Sequence, residues 1–146
     1  MNKKIILIPI FVVIIVLILN FSLEPIDEKN ATVFHITLAD PNLYSNGVFT
    51  DSFVIDKGEY LFRFVPNGSS PDVLSIKLSG EKFNFSQDFN LKGIPHQSGI
   101  SEYFTWEYEG EKTIIISEIQ EVSITINPNG KVMGSVSVDI LENKEA

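Results

Sequence analysis

Two histidines, His35 and His96, are the side chains of this cysteine-free chain whose ordinary titration falls nearest neutrality, so acid–base chemistry would start with them. His96 lies in Gly93-Ile94-Pro95-His96-Gln97-Ser98-Gly99 and shares the chain with many serines and acids, which leaves a Ser-His-Asp arrangement compositionally open. No G-x-S-x-G elbow accompanies it, and such triads are defined by geometry rather than by spacing. His96 therefore reads as a polar loop residue and His35 as the wet face of a strand. No catalytic residue is assigned, and a non-enzymatic role is expected. A structural zinc site draws its four ligands mainly from Cys and His. With no cysteine and two distant histidines, no zinc centre and no cofactor are expected. Calcium is the open alternative, because Asp40, Asp51, Asp56 and Asp88 fall near strand ends or turns. Ca²⁺ takes about six to eight oxygens, however, and no D-x-[DN]-x-[DN]-G loop is present. Turn aspartates commonly bond their own backbone instead.

The run Tyr103-Phe104-Thr105-Trp106-Glu107-Tyr108 is the other feature able to recognise a ligand. Phe104, Trp106 and Tyr108 fall on one face of a strand, and a ladder of rings there could stack on sugars. Strands favour aromatic residues and cores are built from them, so core packing is the simpler expectation for the same three residues. Tyr103, Thr105 and Glu107 form the opposite, solvated face. Four N-x-S/T triplets begin at Asn20, Asn30, Asn67 and Asn84. A glycan needs an exposed loop, which makes Asn67 in Val65-Pro66-Asn67-Gly68-Ser69-Ser70-Pro71 the better candidate, followed by Asn30.

These residues must be carried by strands. Phe34, Ile36 and Leu38 alternate with polar neighbours, as do Tyr60, Phe62 and Phe64; Leu74, Ile76 and Leu78; Phe83 and Phe85; Val122, Ile124 and Ile126; and Val136, Val138 and Ile140. Period-two alternation buries one face and wets the other, as in antiparallel sheets. Asp56-Lys57-Gly58-Glu59, Ser79-Gly80-Glu81, Glu109-Gly110-Glu111 and Asn127-Pro128-Asn129-Gly130 separate these runs and read as hairpin turns. The spacing predicts eight or nine strands in an all-β, antiparallel β-sandwich or jelly roll over residues 32–146. Residues 40–46 and 91–101 read as the longer loops with room for a site.

The N-terminus predicts where that domain sits. Residues 5–19 are apolar and uncharged, preceded by Lys3 and Lys4 and followed by Glu24, Asp27 and Glu28. A spanning helix needs about 20 residues, with a lower end near 17. Residues 5–21 reach that lower end. Lysines before the run and acids after it place the N-terminus inside and the remainder outside the membrane. No A-x-A-like cleavage triplet follows, so an uncleaved single-pass signal anchor over residues 1–22 is expected, with cleavage and secretion as the alternative. Residues 23–31 form a short polar connector that reaches at most about 30 Å. The net charge is −8, and removing Lys3 and Lys4 leaves −10 for the exported part. Such a surface repels nucleic acid and anionic lipid heads.

Asp51-Ser52-Phe53-Val54-Ile55-Asp56-Lys57-Gly58-Glu59-Tyr60-Leu61-Phe62-Arg63-Phe64-Val65-Pro66-Asn67-Gly68 resembles segments of uncharacterised exported archaeal β-sandwich proteins. Its G-E-Y-x-F-x-F rhythm is loosely similar to pre-peptidase C-terminal and GOLD-type accessory domains. The resemblance implies an exported accessory domain and transfers no catalytic residues. The expected role is a membrane-tethered extracytoplasmic module with a binding or structural part in the cell envelope, accompanied by an envelope protein partner. Two other classes compete. A pilin- or archaellin-like filament subunit also joins an apolar helix to a sandwich, but Lys4 abuts Ile5 with no small residue at a processing site. A secreted hydrolase would need His96 beside a serine or carboxylate in a cleft.

Overall fold

The computed structural model describes residues 30–144. The expected helix and anchor of residues 1–22, and the connector as far as residue 29, lie outside the described residues. Nine strands form two antiparallel sheets, so the all-β, two-sheet expectation holds. They are β1 (Thr32–Leu38), β2 (Phe49–Ile55), β3 (Gly58–Pro66), β4 (Val73–Gly80), β5 (Asn84–Ser98), β6 (Ser101–Glu109), β7 (Thr113–Ile116), β8 (Gln120–Asn127) and β9 (Val136–Glu142). One sheet runs β1-β9-β3-β7 and the other β2-β8-β4-β5-β6. No helix among the described residues is long and apolar enough to cross a membrane.

The alternation in the sequence becomes the core. Leu74, Ile76 and Leu78 of β4, Val122, Ile124 and Ile126 of β8, and Val136, Val138 and Ile140 of β9 are all buried. Each such side chain contributes roughly 1.5–3 kcal/mol by leaving water. Aromatic rings bridge the layers: Phe62 lies 5.5 Å from Phe85 and 5.6 Å from Phe89, and Phe64 lies 4.7 Å from Phe89 and 5.2 Å from Tyr108. Phe62 and Phe85 are stacked and the other three pairs tilted, arrangements that match the quadrupole preference of aromatic side chains.

Connections differ from the expectation. Of the four turns read as hairpins, only Ser79-Gly80-Glu81 joins paired neighbours, β4 and β5. Those at residues 56–59, 109–111 and 127–130 carry the chain from one sheet to the other. Turn residues reverse the chain but do not decide whether the next strand pairs beside the last or crosses the core. The local chemistry was as expected, since Asn129 and Gly130 both adopt positive φ.

Residues 91–101 are not a loop. They form most of a second hairpin, in which β5 and β6 pair without a register shift from Asn90↔Glu109 to Ser98↔Ser101. Its two-residue connection, Gly99-Ile100, has glycine first with φ +63°, the arrangement of a II′-type turn. β4 pairs with β5 only as far as Val73↔Asn90, so the hairpin runs on alone past the end of its neighbour. Eight further residues of strand carry it about 25 Å beyond that point.

Gly110 ends β6 and turns the chain toward the other sheet. It adopts φ +156°, and a β-carbon there would stand 2.6 Å from the Phe89 ring in the core. Gly110→Ala is therefore expected to displace Phe89 and destabilise by about 1–3 kcal/mol. Equilibrium urea unfolding measures this as a lower midpoint at unchanged slope, and an unchanged midpoint would contradict the packing described.

Candidate functional site

Past Asn90 the hairpin alternates as any strand pair does. Cross-strand pairs Leu91↔Tyr108, Gly93↔Trp106 and Pro95↔Phe104 share the face that continues the core, while Lys92↔Glu107, Ile94↔Thr105 and His96↔Tyr103 share the other. The opposing sheet stops at Pro66↔Val136, so the core-side face is covered at its root and open toward its tip. Exposure follows this gradient: Tyr108 is 1% exposed, Trp106 37% and Phe104 50%.

Each ring is held differently. Tyr108 is part of the core, and its hydroxyl donates to the Pro71 carbonyl at 2.6 Å. Burial, reinforced by Asp72 and Tyr44, pushes its phenol far above the usual range, so it stays neutral. The Trp106 indole lies between two glycines. A β-carbon at Gly93 would stand 3.0 Å from it, and one at Gly68, in the loop after β3, 3.3 Å from it. A side chain at either position would have to push the indole by a few tenths of an ångström. Phe104 lies 6.2 Å from Trp106, extending the strip outward. The sequence candidates are thus divided: Phe104 and Trp106 form an exposed apolar step, and Tyr108 anchors its base.

The opposite face of the hairpin is polar. His96 stacks on Tyr103 at 5.1 Å and its Nε2 lies 2.8 Å from Thr105 Oγ1. Its partners are thus a phenol ring and a hydroxyl on an exposed strand pair. Lys92 bonds Glu109 at 2.6 Å. Glu102 and Glu107 make no ion pair among the described residues.

A second polar constellation lies on the outer face of the four-stranded sheet, where the register sets His35, Asp139 and Arg63 in one row. Asp139 is 2% exposed. His35 Nδ1 donates to one of its oxygens at 2.5 Å, and Arg63 grips the other through Nε at 2.9 Å and Nη2 at 2.8 Å. Burial alone would push this carboxyl up. The hydrogen bonds from His35 and Arg63, with their charges, outweigh it and hold the group below the ordinary carboxylate range. Thr37 Oγ1 lies 3.5 Å from His35 Nε2 but 2.8 Å from Ser137 Oγ, so the two hydroxyls engage each other first. The row lies on the face of a sheet whose central strand, β9, bonds neighbours on both sides. Its chemistry is that of a carboxylate clamped by three nitrogen donors from two side chains. Sequence reading missed Asp139 and Arg63, because only the pairing across β1, β9 and β3 joins residues so far apart in the chain.

The remaining candidates are dispersed. Asp40 accepts from the Asn42 backbone and side chain, both at 2.9 Å, and Asp51 accepts from the Ser52 backbone at 2.8 Å. Among the described residues no three His, Asp or Glu side chains converge on a point that could hold a metal ion. Asn67 is exposed, with its Oδ1 capping Ser69 N at 2.8 Å, in the loop whose Gly68 backs Trp106. Asn30 is half-buried at the first described position, and Asn84 opens β5.

The depressed Asp139 carboxyl has a stability consequence with a definite sign. Its contribution is complete above the unfolded carboxylate range near pH 4 and is lost as pH falls through the lower folded value. Arg63→Met is expected to cost about 1–3 kcal/mol at pH 7, less than a fully buried pair because the guanidinium is half in water. In urea unfolding followed from pH 7 down to pH 2, the difference from the parent should shrink as the carboxyl protonates. A difference independent of pH would show that Arg63 acts through packing alone. No family model, no curated protein and no solved structure matches this chain, so the meaning of the hairpin rests on its own geometry.

Proposed function

We propose that this chain is a membrane-tethered, extracytoplasmic, non-catalytic β-sandwich module that binds a partner in the cell envelope as an accessory subunit. One observation carries the reading: Phe104 and Trp106 stand exposed on a paired hairpin at the end of the sandwich opposite the one where the chain enters. Entry is at Thr32, which pairs with Leu141 at the Gly58 end of the sheet, while the hairpin leaves at the Pro66 end. With residues 5–21 in the membrane and a connector of at most about 30 Å, the aromatic step faces away from the bilayer. Exposed apolar surface on a rigid element, rimmed by polar side chains, is the usual composition of an interaction site.

The supporting features are physical. The hairpin is held by a continuous ladder and by Tyr108 in the core, so the rings are presented on a formed strand pair, which lowers the ordering cost at binding. Aromatic residues supply large contact area with few rotatable bonds, which is why they recur at the centres of interfaces.

The test is photo-crosslinking in intact cells expressing the full chain, with a photoreactive residue at position 104 and, as control, at the exposed Ile115 on β7. The expected result is a discrete envelope adduct from position 104 that is lost when Trp106→Ala is added. The chain itself should fractionate with membranes at its full, uncleaved mass. Equal adducts from both positions, or none from position 104, would contradict the binding role; a shortened soluble chain would contradict the tether.

A further inference from the structure

The sandwich has four strand edges, and they are not alike. β7 is four residues long, and β1 has an irregular register between Thr32 and Phe34. β2 is regular, but its rings turn into the core, Phe53 lying 5.0 Å from Phe34, so its edge presents no exposed aromatic step. Short, irregular or covered edges are the ordinary ways of preventing strand addition. β6 has none of them over residues 101–106: no proline, no lysine and no register shift.

The direction of its backbone follows from the pairing. Leu91 N donates to Asp72 O, so odd-numbered residues of β5 turn toward β4 and even-numbered ones toward β6. Their partners Tyr103, Thr105 and Glu107 close the ladder, which leaves the N–H and C=O groups of Glu102, Phe104 and Trp106 facing outward. The other side of the projecting hairpin is different, because Pro95 falls in the outward phase of β5 and has no N–H to offer. One edge is guarded and the other is open.

Side chains along the open edge fall into two phases. Phe104 and Trp106 make the core-side phase apolar as far as Glu102 near the tip; Tyr103, Thr105 and Glu107 make the other polar and acidic. Lys92 bonds Glu109 and stands across the ladder from Glu107, one cation for two acids, so this phase keeps a net negative charge. A second copy of β6 would bring further glutamates to the same edge, and like charges across a strand pair are destabilising. Resting on the reading of the hairpin as a binding surface, we infer that β6 accepts an extended segment of another protein as an added antiparallel strand, one that alternates apolar with Lys or Arg side chains. Main-chain hydrogen bonds to residues 102, 104 and 106 hold the segment, its apolar phase covers Phe104 and Trp106, and its basic phase meets Glu107.

Trp106 is the sole tryptophan, so its emission reports occupancy of this edge directly. The full chain in non-ionic detergent is titrated with a blocked octapeptide of alternating lysine and valine, and with two versions N-methylated on either the valine or the lysine amides. In an antiparallel addition the valine amides point at β6. Methylating them should weaken binding about 10-fold or more, whereas methylating the lysine amides should leave it within about 2-fold. A glutamate–valine octapeptide should not bind. The inference is overturned by no saturable change with the parent peptide, by equal effects of the two methylations, or by equal binding of the glutamate peptide. A response to a neutral oligosaccharide with the peptides silent also overturns it. If the peptides fail while the position-104 adduct persists, the surface is in use but not by strand addition; if both fail, the binding role fails with them.

Discussion

The inner face of the five-stranded sheet is longer than the sheet that covers it, and the character of this molecule follows from that mismatch. Every strand must cover its apolar side chains or leave them in water. Most of them succeed, because β3 and β9 lie across β4, β5 and β8 and exclude solvent from the shared core. β5 does not stop where its cover stops. It continues to Ser98, and β6 returns along it with Trp106 and Phe104 still on the core side. The same alternation that buries Phe89 and Tyr108 therefore exposes Phe104.

Stability and recognition are accordingly separated along one hairpin. At its root, Gly110 admits Phe89 and the Tyr108 hydroxyl pins the Pro71 carbonyl. Further out, Gly93 and Gly68 admit the indole of Trp106. Beyond that, among the described residues, neither β4 nor the opposing sheet pairs alongside the strand pair, so the cost of exposing its rings is borne by a fold already closed elsewhere. The His35–Asp139–Arg63 row sits on the outer face of the other sheet and has a different part. It ties β1 and β3 to the buried carboxylate of β9, holding together the sheet through which the chain enters.

Much of this was legible in the residues. Alternation around Leu74, Val122 and Val136 marked the core, and left-handed backbone at Asn129 and Gly130 marked a turn, because both depend on neighbours in sequence. What depends on distant pairing was not legible. The turns at 56–59, 109–111 and 127–130 have hairpin chemistry but cross between sheets. Residues 91–101 read as a loop, although three of them suit their places in the hairpin: Gly93 beneath an indole, Pro95 with its missing N–H toward an open edge, Gly99 at a positive φ. A two-residue Gly-first connection between Ser98 and Ser101 was the signal available for that hairpin. Asp139 offered none, since its partners stand 104 and 76 residues away.

The central claim is that β6 is a formed strand with one satisfied and one open edge, and amide hydrogen exchange resolved by residue tests it most directly. In the full chain, the amides of Tyr103, Thr105 and Glu107, which face β5, should exchange slowly, while those of Glu102 and Phe104 exchange rapidly. Alternating protection along a single strand is the predicted result. Uniformly fast exchange would mean that the hairpin is not formed, and uniformly slow exchange would mean that its outer edge is already covered.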